Sequence, residues 1–393
     1  MNNADRLNDR LLTGLIVSVF FPWPAAFAVA GGTALLVWLS PAARAAVVSD
    51  KKALLRVSPW LLLAILPPLF WKNRLGLAAG AGVLLFLSLF LWLKGIITRE
   101  RAVRCLKIAC FGGVPAALVA VVQKIGFVFL HWPATEWPAL PSNDELRAFS
   151  FFGNPNEYAA VCVLLVLFGL WLCGQKELSL PLTLLCVGSS LVGLFLSASL
   201  MAMAGLFFAL ALMLALQKRW KLLWALIGVT AALVALVLLL PAVLPHASGA
   251  GHSFAMRMAI WRLALRMIPH APLFGRGLTS YWMFSPDYVG QDLGFEVRVT
   301  TCAHSLLLDG LLSFGAVGVG LAVWYLLRIL RTASARYQRG NALAVLALTA
   351  LTAALVHGLF DVTAVWPQVL VLLAVATAAG IGAGTEKDSS QAA

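Results

Sequence analysis

Glu157-Tyr-Ala-Ala-Val-Cys-Val-Leu-Leu-Val-Leu-Phe-Gly-Leu-Trp-Leu-Cys-Gly174 carries a charge at its first residue and no other. A run of about 20 mostly apolar residues is what a helix needs to cross the hydrocarbon of a bilayer. Working outward, similar runs lie near 11–22, 24–40, 54–71, 76–95, 105–130, 179–198, 200–216, 221–244, 304–327, 342–360 and 363–383. The expectation is an all-α polytopic membrane protein of about twelve transmembrane helices. Pro22 and Pro24 interrupt the first two runs, so a single long span there, and eleven in all, is the alternative.

Composition agrees. Of the 393 residues, 61% are hydrophobic and 11% charged, against roughly 45–50% and about 25% in soluble domains. Mean hydropathy is +0.91. This excludes a soluble enzyme, a disordered scaffold and a secreted disulfide framework. No signal-peptide cleavage site follows the first run. The net charge of +13 does not indicate nucleic acid, because in a membrane protein the location of basic residues carries the meaning. With the N-terminus inside, the outer side holds Lys72, Arg74, Lys124, Arg147, Arg257, Arg262, Arg266, Arg276 and Arg298, leaving 20 of the 29 basic residues inside. That bias supports the topology without reference to any motif.

The organisation expected is N-terminal spans over 1–130, a first outer loop at 131–156, central spans over 157–244, a large outer loop at 245–303, C-terminal spans over 304–383 and a disordered tail at 384–393. Loops as long as the two outer ones are uncommon, so function is sought there. Six of the nine outer basic residues lie in them, all arginine. Arginine makes bidentate contacts with phosphate and carboxylate, whereas contact with lipid headgroups explains the same set without a dedicated ligand.

Four motifs fall on this outer face. In the first loop, Arg147 precedes Gly153-Asn154-Pro155-Asn156. Pro155 holds Asn154 extended, and Asn156 is expected to cap the next helix. Capping accounts for both asparagines; the functional reading has helix-end N–H groups and Arg147 facing an anion. In the second loop, a helix opening at Ser253 and ending near Pro269 places Arg262 and Arg266 on one side, with Arg257, Trp261 and Ile268 on the other. Such a helix can simply lie on the membrane. His304 opens the next span, where an imidazole reaches both water and a lipid-borne substrate. Asp309 lies about 7.5 Å deeper and roughly 140° around, so it is not an obvious partner. Finally, the i,i+4 spacing of His357 and Asp361 puts both on one helical face, able to hydrogen-bond. Cysteine and histidine show no ligand spacing, so neither metal nor cofactor is expected.

Together, Gly153-Asn154-Pro155-Asn156 before a span, Arg257-x-x-x-Trp261 with Pro272-x-x-Gly-x-Gly277, His304 and His357-x-x-x-Asp361 resemble the O-antigen ligase superfamily. This group of ligases, O-antigen polymerases and bacterial O-oligosaccharyltransferases is resembled over roughly residues 147–361. The resemblance implies a metal-independent glycosyltransferase of the GT-C type in the bacterial inner membrane, with its active site facing the periplasm. Such an enzyme takes a glycan from undecaprenyl diphosphate to an acceptor hydroxyl: lipid A core for a ligase, a repeat unit for a polymerase, a protein Ser or Thr for an oligosaccharyltransferase. It implies His304 as the catalytic group handling the acceptor hydroxyl and Arg257 as the clamp on the diphosphate. Arg147, Asn154, Asn156, Arg276, His357 and Asp361 would bind substrate. One departure stands out. In Ser197-Ala-Ser-Leu-Met-Ala202, Leu200 falls where the family carries an arginine, so a cationic contact is lost unless Arg147 or Arg276 supplies it. Ser305 likewise replaces an asparagine. The reading of another class is an anionic-lipid transporter or flippase, but charges midway through the spans are scarce and no internal repeat is visible.

Overall fold

The computed structural model describes residues 3–132, 146–239, 245–289 and 300–382. Among them the chain is helical, with no strand. In order the helices are α1 (Asn3–Ser18), α2 (Trp23–Leu39), α3 (Pro41–Val48), α4 (Lys51–Phe70), α5 (Arg74–Ile96), α6 (Arg99–Phe129), α7 (Pro155–Gly174) and α8 (Leu180–Ser197). There follow α9 (Leu200–Leu216), α10 (Trp220–Leu239), α11 (Pro245–Met267), α12 (Ser280–Phe284), α13 (Leu306–Gln338), α14 (Ala342–Gly358) and α15 (Pro367–Ile381).

Short polar residues set the boundaries. The side chains of Asp50, Asn73, Thr98, Asn154 and Asn341 each accept a backbone N–H in the first turn that follows, satisfying donors that a helix leaves orphaned. Six helices, α4, α5, α6, α7, α8 and α13, are long and apolar enough to cross a membrane, or up to seven crossings if α2 and α3, bent by 94° at Ser40, form one. The apolar helices α9, α14 and α15 are shorter, as is the stretch Trp220–Leu236 of α10. The chain is thus a polytopic helical membrane protein whose apolar helices match the expected runs, and among the described residues six or seven of the twelve expected spans meet the length and composition needed to cross a bilayer.

Helix α7, the stretch quoted first, is the centre of the bundle: nearly all of Glu157–Leu172 is buried, with α6, α8, α9, α14 and α15 around it. A helix apolar on every side needs such a position. Small residues bring neighbours close. A Cβ on Gly80 of α5 would stand 2.5 Å from the Ala64 carbonyl oxygen of α4, and one on Gly205 of α9 would stand 2.9 Å from that of Ala353 in α14. Helix α10, by contrast, shows Trp224, Val229, Leu233 and Leu236 outward, a surface that only lipid solvates well.

The helix ends sort into two sets. At one, Arg101 binds Asp5 and Asp9, Lys94 binds Asp50, and Lys107 binds Glu177. At the other, the Asn73 amide in the α4–α5 turn donates to the carbonyls of Arg276 and Leu278. The Lys72-Asn73-Arg74 turn, expected on the outer side, therefore lies against the second long loop. That loop is docked by backbone pairing. Arg276 and Gly277 donate to the Leu312 and Ser313 carbonyls, and Ala316 and Val317 donate to those of Pro272 and Leu273. Helix α13 is broken there at Gly315, at φ +62°. A Cβ on Gly315 would overlap Leu273, 2.2 Å away, so only glycine admits the loop at that break.

The second-loop helix begins at Pro245, not Ser253, and ends at Met267 as Pro269 requires. Arg262 and Arg266 are exposed on one side, while Arg257 is half-buried on the other. The expected tail, Arg298 of the second loop and half of the first outer loop, residues 133–145, lie outside the described residues.

Candidate functional site

The segment 146–153 is strapped onto α6. Gln123 accepts from the backbone N–H groups of Phe149 and Ser150 and donates to the Ser150 carbonyl, while Lys124 donates to that of Leu146. This presents Arg147 to the α8–α9 turn, where its Nε donates to the Ser197 carbonyl at 2.7 Å. Ala198 there is left-handed, at φ +49°, and the half-exposed Leu200 opens α9. The Arg147 guanidinium is thus held beside the turn that leads into Leu200.

The capping residue of α7 is Asn154, not Asn156. Extended at φ −155°, it accepts from the Glu157 N–H at 2.9 Å; Pro155 occupies the first helical position, where its missing N–H costs nothing. Glu157, fully buried, accepts from the Gly153 N–H at 3.0 Å. Asn156, one residue inside the helix, points away from the cap. Its carbonyl oxygen accepts from Arg147 Nη2 at 2.6 Å, and its amide donates to Asp361 Oδ2 at 2.6 Å.

Asp361 is the hub. Its Oδ1 accepts from the Val362 N–H at 2.7 Å and faces His304 Nδ1 at 3.4 Å. Helix α14 ends at Gly358, so His357 and Asp361 do not share a helical face, and the expected pairing between them does not form. His357 instead meets the Thr363 hydroxyl through Nδ1 at 3.2 Å and borders a small cavity with Ala160, Leu164, Ala202 and Ala353. His304 likewise precedes its helix: Ser305 occupies the N-cap position of α13, and His304 has φ +45°, a conformation that costs a non-glycine residue of order 1–3 kcal/mol. Asp309 reaches back to accept from the Ala303 N–H at 2.9 Å. The carboxylate that seemed to have no partner thus holds the turn that carries His304.

Arg257 joins from α11. Its Nε donates to the Phe360 carbonyl at 3.1 Å, and Trp261, one turn on, packs against the Phe360 ring with centroids 5.6 Å apart. Consecutive residues, Phe360 and Asp361, therefore hold Arg257 and His304. Arg276 is placed elsewhere. Buried, it lies over Trp71, Phe284 and Tyr288 at 4.3–5.3 Å from their ring centroids and donates to the Tyr288 hydroxyl. Its observed contacts are those of a loop anchor rather than of the His304 cluster.

The electrostatics follow from this geometry. Burial opposes a charge on His304, but the Cys302 sulfur and the Asp361 carboxylate outweigh it and hold the imidazole pKa well above its ordinary value. Burial works against the Asp361 carboxylate too, yet the hydrogen bond and charge of His304, with the Val362 N–H, hold its pKa below the ordinary value. Each partner stabilises the charged form of the other. Cys302, which sequence spacing did not connect with either, offers a third donor atom: one from each of Cys302, His304 and Asp361 lie within 4.8 Å of one another.

Fold and site thus define a helical membrane protein with arginines, a histidine and a buried carboxylate gathered at one end of its bundle. The sequence profile of the family described as O-antigen ligase matches residues 185–325, from α8 into α13, and supports the O-antigen ligase and polymerase superfamily, whose members are in general glycosyl-transferring enzymes. Arg257, Arg276, His304 and Leu200 fall within the match; Arg147, Asn154, Asn156, His357 and Asp361 fall outside it. No curated protein matches the chain.

Proposed function

We propose that the protein is a glycosyltransferase of the bacterial inner membrane, acting at the periplasmic face. It moves a glycan from undecaprenyl diphosphate to an acceptor hydroxyl, as an O-antigen ligase does with lipid A core. The observation that carries this reading is the Phe360-Asp361 pair, which holds Arg257 by its carbonyl and His304 by its carboxylate. A phosphate clamp and a base are what transfer from a lipid diphosphate requires.

With Nδ1 turned to Asp361, the nitrogen left for the acceptor is Nε2. It takes the hydroxyl proton as the acceptor oxygen bonds to the sugar's anomeric carbon. The bond from that carbon to the diphosphate breaks, and undecaprenyl diphosphate leaves with the electron pair. Arg257 stabilises the charge that develops on the departing oxygen. Arg147, positioned at the α8–α9 turn, supplies the positive charge that Leu200 lacks. Asn156, tied to both Arg147 and Asp361, aligns the two rather than touching substrate; Asn154 is a cap, and Arg276 anchors the loop.

The test is made in the native host, resolving envelope glycans by size and anchor in wild type and in a His304→Ala strain. Long chains stranded on the lipid carrier beside bare acceptor are expected of a ligase. Single repeats reaching the acceptor would instead assign a polymerase, and glycan missing from protein hydroxyls an oligosaccharyltransferase. An unchanged profile would overturn the role of His304. Movement of lipid-linked glycan across reconstituted vesicles without an acceptor would favour a transporter.

A further inference from the structure

We infer that Cys302, His304 and Asp361 form a binding site for a zinc-type divalent cation, and that its occupancy withdraws His304 from base catalysis. Three donors of different kinds, a thiol sulfur, an imidazole nitrogen and a carboxylate oxygen, lie within 4.8 Å of one another. The His304 Nδ1 to Asp361 Oδ1 separation of 3.4 Å is already the edge of a tetrahedron with metal–ligand bonds of about 2.0–2.1 Å. Drawing the sulfur to about 2.3 Å from the same centre puts it about 3.5 Å from the other two donors, against a present separation of no more than 4.8 Å.

The surroundings suit a cation. Cys302 and His304 are half-buried, so the site opens to water, and three protein ligands leave a fourth position for a water molecule. The thiol and carboxylate together balance a double positive charge once the thiol proton has passed to water. Sulfur and imidazole favour zinc and its neighbours over magnesium or calcium. Supporting contacts are in place: Asp361 Oδ2 accepts from Asn156, and Asp309 pins the Ala303 N–H between the two ligands in sequence. Such outer contacts orient metal ligands. The consequence for catalysis rests on the base role proposed above; the binding of metal does not.

The experiment uses the full-length protein in detergent, stripped with chelator and titrated with cobalt(II) as a spectroscopic stand-in for zinc. Wild type is expected to bind one cobalt per chain, with a near-ultraviolet sulfur-to-metal charge-transfer band that zinc(II) bleaches. Cys302→Ser is expected to lose the band and to bind metal about tenfold or more weakly, with its thermal melting in chelator retained as the check of fold. No band in folded wild type, or equal affinity in Cys302→Ser, overturns the site. Zinc is expected to suppress glycan transfer over the same concentration range in which it displaces cobalt. Full transfer by zinc-loaded protein overturns the blocking role. A cobalt band in a protein that transfers no glycan when metal-free would overturn the proposed function and leave the site standing.

Discussion

The two ends of the bundle handle charge in opposite ways. At one end, basic residues outnumber their partners, and the Lys94–Asp50 pair is open to water, with 28% and 44% of the side chains exposed. Lys94 and the Ala53 N–H hold the Asp50 carboxyl below its ordinary pKa, but an exposed pair of this kind contributes only about 0–1 kcal/mol. At the other end, Asp361 is buried and linked in series to Asn156, Arg147 and His304. Removing one member of a buried, paired set costs about 3–5 kcal/mol in the cases where it has been measured. The difference teaches that charge at one end is plentiful and open to water, while at the other a single buried carboxylate organises its neighbours.

The sharpest test of this contrast is His304→Ala. Transfer by the purified variant, with unchanged expression and melting, is expected to fall by about 10²- to 10⁴-fold; a smaller loss would make the His304 cluster as structural as the ion pairs at the opposite end.

Next in size is Asp361→Asn, assayed in chelator-treated buffer. Because Asp361 helps to hold the His304 pKa above its ordinary value, wild-type transfer rises with pH only as His304 loses its proton above about 6.5. The asparagine variant is expected to be slower and to have that limb displaced to lower pH. Stability carries its own sign. A raised His304 pKa stabilises fully below about 6.5 and ceases to do so as pH rises through the folded value; a lowered Asp361 pKa stabilises above about 3.9 and ceases to as pH falls through its folded value. The melting difference between wild type and Asp361→Asn is therefore expected to be largest between these limits and to shrink at alkaline pH. A pH-independent difference would remove the ion pair as its cause.

A smaller effect is expected from Arg147→Lys, which keeps the charge but loses the planar fork that spans Ser197 and Asn156. Half-saturating donor should rise by about tenfold while turnover at saturation changes less, because the contact positions donor rather than reacts. Equal losses in both would place Arg147 in the transition state. The smallest is Lys94→Ala: melting should shift by no more than about 1 kcal/mol allows, with transfer per folded molecule unchanged. Loss of transfer there would break the distinction between the two ends.

The site was only partly legible in the chain. Arg147, Arg257, His304 and Asp361 stood out because charged residues at the edge of apolar runs are costly and noticeable. Local rules misassign two contacts around them, the cap of α7 and the partner of His357. Asn154 and Asn156 are both good caps, and which one caps α7 depends on where the helix starts; Asn156 is released to bridge Arg147 and Asp361 only because Asn154 takes the N–H of Glu157. The spacing of His357 and Asp361 promised a pair, but α14 stops at Gly358 and Thr363 takes the histidine. Cys302 gave no signal because completing its cluster needs Asp361, 59 positions on, and Asp309 showed no partner because what it holds is a backbone N–H fixed by the turn.

Hydrophobicity needs no partner, which is why composition and apolar run length by themselves determined that this is a membrane protein and roughly where its apolar helices lie. Hydrogen bonding and ion pairing are directional and short in range, so they depend on which helix ends meet. Tertiary structure alone decided that Asp361 is the hub, that the glycine motif at 272–277 seats the outer loop in the break of α13 at Gly315, and that Arg276 is buried among aromatics. It also decided that Asp361 stands within 4.8 Å of donor atoms on Cys302 and His304, which are near neighbours in sequence but far from it along the chain.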